Sequence, residues 1–132
     1  MQPDDTYLCA GVIDTPLKFR ILLVFCRHPG LALDAAQLGG WLRESPWALD
    51  EALHALADAG VIQPLAPLQP GWYRLPTDTP AGAAVRRLAY RFDDPLEREH
   101  IYARIDAADH ERQLRAATLA PQPAPFGDLP PI

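Results

Sequence analysis

The sequence predicts a mainly helical α+β chain: a helix-turn-helix, a two-stranded hairpin directly behind it, and two extra C-terminal helices. Three observations carry this. Four times a capping side chain stands immediately before proline, at Thr15-Pro16, Ser45-Pro46, Thr79-Pro80 and Asp94-Pro95. Proline at the first helical position has a preset φ and no donor to waste, and the preceding oxygen can accept from orphan N–H groups. Leu49, Leu53 and Leu56 then recur at i, i+4 and i+7, an inward stripe that ends at Gly60, where a left-handed cap belongs. Finally, Val61-Ile62 and residues 72–75 (WYRL) flank the proline-laden loop 63–71, as two short strands that return on each other.

The first helix, residues 16–28, is apolar on more than one side, through Leu17, Phe19, Ile21, Leu22, Leu23, Val24 and Phe25. One face can cover the helix-turn-helix core; the other must meet the C-terminal helices or a second subunit. Pro29-Gly30 ends it, and residues 31–33 are short and extended. The second helix, 34–43, buries Leu38 and Leu42 at i, i+4 with Trp41 beside them, and Asp34 with Gln37 has capping-box spacing. Gly39-Gly40 is a poor helical choice, so close packing against another helix is expected there. The third helix, 45–59, carries the leucine stripe.

The fourth helix, 80–92, sets Val85, Leu88, Ala89 and Phe92 on one side and Arg86, Arg87 and Arg91 largely on the other. The fifth, 95–119, opens with a second capping-box pair, Asp94 and Glu97, and shows only a narrow seam of Leu96, Ile101, Ile105 and Ala108 among many charges. Such a helix packs on the first or pairs with its copy in a dimer. The chain thus divides into an N-terminal extension (1–15), a helix-turn-helix with hairpin (16–78), C-terminal helices for packing or dimerisation (79–120), and a proline-rich tail (121–132).

Bulk properties narrow the function. Hydrophobic residues make up 48% and charged residues 22%, which is ordinary for a globular domain and ample for one core. The longest apolar run, residues 21–26, is too short to span a bilayer, and the N-terminus lacks a basic signal-peptide region, so a cytoplasmic location is expected. A net charge of -5 disfavours a general polyanion binder. Cys9 and Cys26 form no metal-type pair and are expected to be reduced and half-buried, with a disulfide between them as the alternative.

From residue 16 to about 88 the chain resembles the winged helix-turn-helix regulators of bacteria, with general similarity to the PadR and MarR groups. The residues carrying it are FRILLVFCRHPG, LDEALHALADAGVI and GWYRLPTDTPAGAAVRRL. The resemblance implies a winged helix with a two-stranded wing, dimerisation through terminal helices, and repression of transcription by operator binding.

Two features of this sequence run against operator binding. The third helix carries Asp50, Glu51 and Asp58 and no Lys or Arg, and the wing tip (LAPLQPG) has no basic residue. Between Asp34 and Arg74 there are five acids and two bases, where phosphate contacts would need cations. Trp47, Asp50 and His54 are therefore candidates for binding a protein partner, since tryptophan is a typical contact anchor. Trp47 could alternatively cap the core against the second helix. In the tail, Phe126 is the candidate anchor.

For the DNA-binding alternative, the rescuing cations are Arg74, Arg86, Arg87 and Arg91. The competing reading pairs them with Asp93, Asp94, Glu97 and Glu99. Glu97-x-x-His100 is a single metal-type element where a di-iron bundle needs two. There is no nucleophile elbow, phosphate-cradling glycine loop or HExxH, and the one serine, Ser45, is best used as a cap. No catalytic residue, metal or cofactor is expected. The reading is a non-catalytic regulatory or adaptor protein acting through protein contacts, with a DNA-binding dimeric regulator as the alternative.

Overall fold

A computed structural model describes residues 3–119. It is mainly helical, with α1 (Pro16–Arg27), α2 (Ala35–Leu42), α3 (Pro46–Asp58), α4 (Pro80–Arg91) and α5 (Pro95–Leu119), and one small antiparallel sheet of β1 (Gln63–Pro64) and β2 (Tyr73–Arg74). The helix starts follow the caps. Thr15, Asp34, Ser45 and Thr79 each accept a bond from the backbone N–H three residues on, at 3.2, 2.9, 3.1 and 3.0 Å. Asp94 behaves differently: its carboxylate accepts from Leu96 N, and Glu97 turns away to Arg91. A partly buried ion pair outcompetes the reciprocal half of the box.

α1 is the hub. Phe19, Ile21, Leu22 and Phe25 are almost wholly buried, and the helix touches α2, α3, α4 and α5. Its second apolar side is thus covered within the chain by the C-terminal helices. α5 presents Ile101, Ile105 and Ala108 inward, whereas Leu96, expected in the same seam, is 77% exposed. The reason is angular: Leu96 lies five residues before Ile101, about 140° round the helix from it. Near the start of α5, the Phe19, Phe92 and Tyr102 rings pack in sequence at 5.1 and 5.3 Å, with Arg98 over the Phe92 face.

α3 ends at Gly60 (φ +79°), where Gly60 N–H donates to the Ala57 carbonyl and Val61 N–H to that of Leu56. These two bonds make a Schellman cap. They also move the expected first strand: Val61 is spent on the cap, and Val61 and Ile62 sink into the core. Ladder pairing begins at Gln63↔Arg74 and Pro64↔Tyr73. Extended Leu33 bridges the other side of Tyr73, the two residues exchanging backbone bonds of 2.9 Å.

Glycine pairing in α2 is explained at one position only. A Cβ on Gly39 would lie 3.5 Å from Leu49 of α3, the close approach expected, but one on Gly40 would meet open space. Among the described residues the tightest glycine is Gly82, where a Cβ would stand 2.1 Å from the Pro76 carbonyl oxygen.

Residues 3–14 are built into the body. A 3₁₀ turn over Pro3–Tyr7 lies against α4, and Leu8 and Ile13 join the core. Asp14 is wholly buried; it accepts from Gly11 N (2.9 Å) and from Lys18 Nζ (2.6 Å). Cys9 and Cys26 are both free and partly buried. Among the described residues no helix is long and apolar enough to cross a membrane.

Candidate protein-contact surface

The outward side of α3 is built by its cap. Ser45 and Pro46 start the helix, which puts Trp47 in the first turn, and the inward leucines turn Trp47, Asp50, Glu51 and His54 outward. Trp47 is 76% exposed. It does not cap the core, so that alternative falls away. His54 Nδ1 lies 2.8 Å from the Asp50 carbonyl oxygen and 3.5 Å from its carboxylate, which fixes the ring on the helix surface.

The acidity of this face is felt beneath it. Tyr73 packs under His54 in an edge-on contact at 6.3 Å, and its hydroxyl is pushed above its ordinary range, first by burial and then by the charges of Asp50 and Asp58. Beside Trp47 runs an open groove of about 320 Å³, with Leu17, Ala48, Ala52 and Ala55 along it and Glu51 and Arg112 at its polar edges. A flat aromatic, an apolar trough and carboxylates thus adjoin one another. Phe126, the candidate anchor in the tail, lies outside the described residues.

The four candidate DNA-contacting arginines are all engaged. Arg74 Nε donates to Gln63 Oε1 across the hairpin at 2.9 Å. Arg86 donates to the carbonyls of Pro76 and Thr77, both at 3.1 Å. Arg87 forks onto Asp4 at 2.7–3.0 Å, and Arg91 joins Asp5 (2.9 Å) and Glu97 (3.1 Å). Among the acids expected to neutralise them, only Glu97 does so.

The missed partners are Asp4 and Asp5, buried at 5% and 1% exposure. Asp5 also lies 3.0 Å from His100 Nε2, and its backbone carbonyl accepts from Arg104. Burial pushes the Asp5 carboxyl up, but hydrogen bonds to His100 and Arg91 outweigh it and hold the group below its ordinary value. Glu97 and His100, the lone metal-type element, are thereby engaged, Glu97 in an ion pair with Arg91 and His100 in a hydrogen bond with Asp5. An acidic doublet before the first helix was the only available signal, and it named no partner.

Compared with family models, curated proteins and solved structures, the chain matches none.

Proposed function

We propose that this chain is a non-catalytic regulatory or adaptor protein of winged-helix form, acting in the cytoplasm through protein contacts made by the outward face of α3. The observation that carries the reading is Trp47, 76% exposed at the lip of an apolar groove and flanked by carboxylates. Water contact with a whole indole is unfavourable, and aromatic anchors of this kind supply much of the energy at protein interfaces. The surrounding acids favour a partner segment bearing Lys or Arg, which could also lie over the indole face.

Neutralisation of Arg87 by Asp4, and of Arg91 by Asp5 and Glu97, supports protein contact over the DNA-binding alternative. A phosphate at either guanidinium would have to displace an existing carboxylate. A homodimer forms part of the proposal; Leu96 and Leu114 of α5, 77% and 55% exposed, support a second copy as a further partner.

The test compares the full chain with Trp47→Ala and, as a control, Trp41→Ala in cross-linked capture from cells. Expected is a discrete protein lost only with Trp47→Ala, while the melting temperature of that variant stays within about 2 °C of the parent. Sheared genomic DNA provides the opposing arm. Retention that falls steeply with salt, and is lost in Arg86→Ala/Arg87→Ala, would replace this proposal with the DNA-binding one.

A further inference from the structure

The arginine that the sequence offers as a phosphate contact, Arg86, stands on the wall of a cavity of about 280 Å³. This hollow lies between the C-terminal end of α1, the turn after it, the residues following β2, and α4. Phe25 and Leu75, nearly buried, are part of its lining; Leu31, 44% exposed, stands at its edge. Cys26 and Thr77 also line it, and the Thr77 carbonyl accepts from the guanidinium.

We propose that this cavity binds a small organic carboxylate with a compact apolar body, its chain against Phe25, Leu31 and Leu75 and its carboxylate at Arg86. The cavity is close in size to the smaller known ligand pockets, which combine apolar walls with a few fixed polar groups. Arg86 is such a group. Its two bonds to the Pro76 and Thr77 carbonyls hold the guanidinium in place, yet use only two of the five N–H donors that a guanidinium carries. Among the described residues no carboxylate pairs with Arg86, unlike Arg87 and Arg91.

Burial pushes the Cys26 thiol up to about 11, and the opposing influence is the Arg86 charge, which acts across this wall. An apolar wall within electrostatic reach of a tethered cation is what an amphiphilic anion requires. A neutral molecule would use the walls alone, and an inorganic anion the cation alone.

The cavity also reports its own occupancy. His28 belongs to its lining and stacks on Trp41 at 5.0 Å, so a bound molecule perturbs an indole about half exposed to water. This proposal is independent of the role assigned to Trp47, which lies on α3 beside a different groove.

Sodium hexanoate is the probe, with 1-hexanol and acetate as the two half-ligands, titrated into the full chain by calorimetry and by fluorescence in a Trp47→Phe/Trp72→Phe background. Saturable binding of one hexanoate with a dissociation constant on the order of 1 mM is expected for a ligand of this size, with each half-ligand at least ~10-fold weaker. Cys26→Leu fills the hollow and Leu31→Trp obstructs its edge; each should weaken hexanoate at least ~10-fold. Arg86→Lys should retain binding that Arg86→Gln loses. Non-saturable binding, equal affinity for hexanol, or indifference to both blocking variants overturns the proposal. Should one blocking variant fail to fold, the other decides.

Discussion

Removing the Asp5 carboxylate should cost this protein a large share of its stability, although no catalytic or binding role is assigned to it. Asp5 is 1% exposed and receives Arg91 Nη1 at 2.9 Å and His100 Nε2 at 3.0 Å. In Asp5→Ala the Arg91 side chain, 12% exposed, keeps only Glu97, which is itself 30% exposed. Breaking one member of a buried pair costs roughly 3–5 kcal/mol, and the surviving Glu97 contact places the loss near ~3 kcal/mol. With an unfolding entropy of about 2.1 cal/mol/K per residue over roughly 120 residues, this lowers the melting temperature by about 12 °C.

Thermal and urea unfolding followed by far-ultraviolet circular dichroism measures it. A double-mutant cycle with Arg91→Ala should return a coupling of about 2 kcal/mol. The pH dependence has a fixed sign. Asp5 titrates lower in the folded chain than in the unfolded one, because the hydrogen bonds of His100 and Arg91 outweigh burial. Its contribution is therefore complete above the unfolded value near pH ~4 and is lost as the pH falls through the folded value. The gap between parent and Asp5→Ala should narrow as the pH falls through that range. A melting temperature within about 3 °C of the parent at neutral pH, or a coupling near zero, would refute the reasoning.

Lys18→Met strands a wholly buried Asp14 with Gly11 N–H and a distant Arg112 Nε at 3.6 Å; a loss of about 3 kcal/mol is expected in urea, largely recovered in Lys18→Met/Asp14→Leu. No recovery in the double variant would mean that the pair does more than neutralise itself. Gly82→Ala forces a methyl to within 2.1 Å of the Pro76 carbonyl oxygen, an atom also held by Arg86. Overpacking should exceed the ~1 kcal/mol gain in helix propensity and leave a net loss of about 2 kcal/mol, and a stabilised variant would show that α4 shifts freely. Trp47→Ala, by contrast, should leave the urea midpoint almost unchanged, a loss above about 1 kcal/mol counting against an exposed contact role.

Helix starts and the α3 stop were legible because their bonds are local. Each of the four oxygens at Thr15, Asp34, Ser45 and Thr79 reaches an N–H three residues away, and the Gly60 cap closes within five. The turn between α2 and α3 was less legible: Arg43 takes the left-handed conformation (φ 55°) with no glycine to announce it. Strand position was displaced by two residues because the cap competed for Val61. Least legible was the burial of Asp4, Asp5, Leu8 and Ile13, in a segment with no helical period that owes its place largely to α4 and α5.

The chain by itself determined where helices begin and that the outward side of α3 is acidic, since covalent order and the 3.6-residue repeat suffice for both. Tertiary structure alone decided what the α4 arginines do. Arg87 and Arg91 find Asp4 and Asp5 across 83 and 86 residues, and His100 finds Asp5 across 95. Charge falls off with distance through space, which only the folded path of the chain sets. A cation that looks available in sequence is therefore neutralised, while Arg86, tethered only to carbonyls, keeps its charge for the cavity beside it.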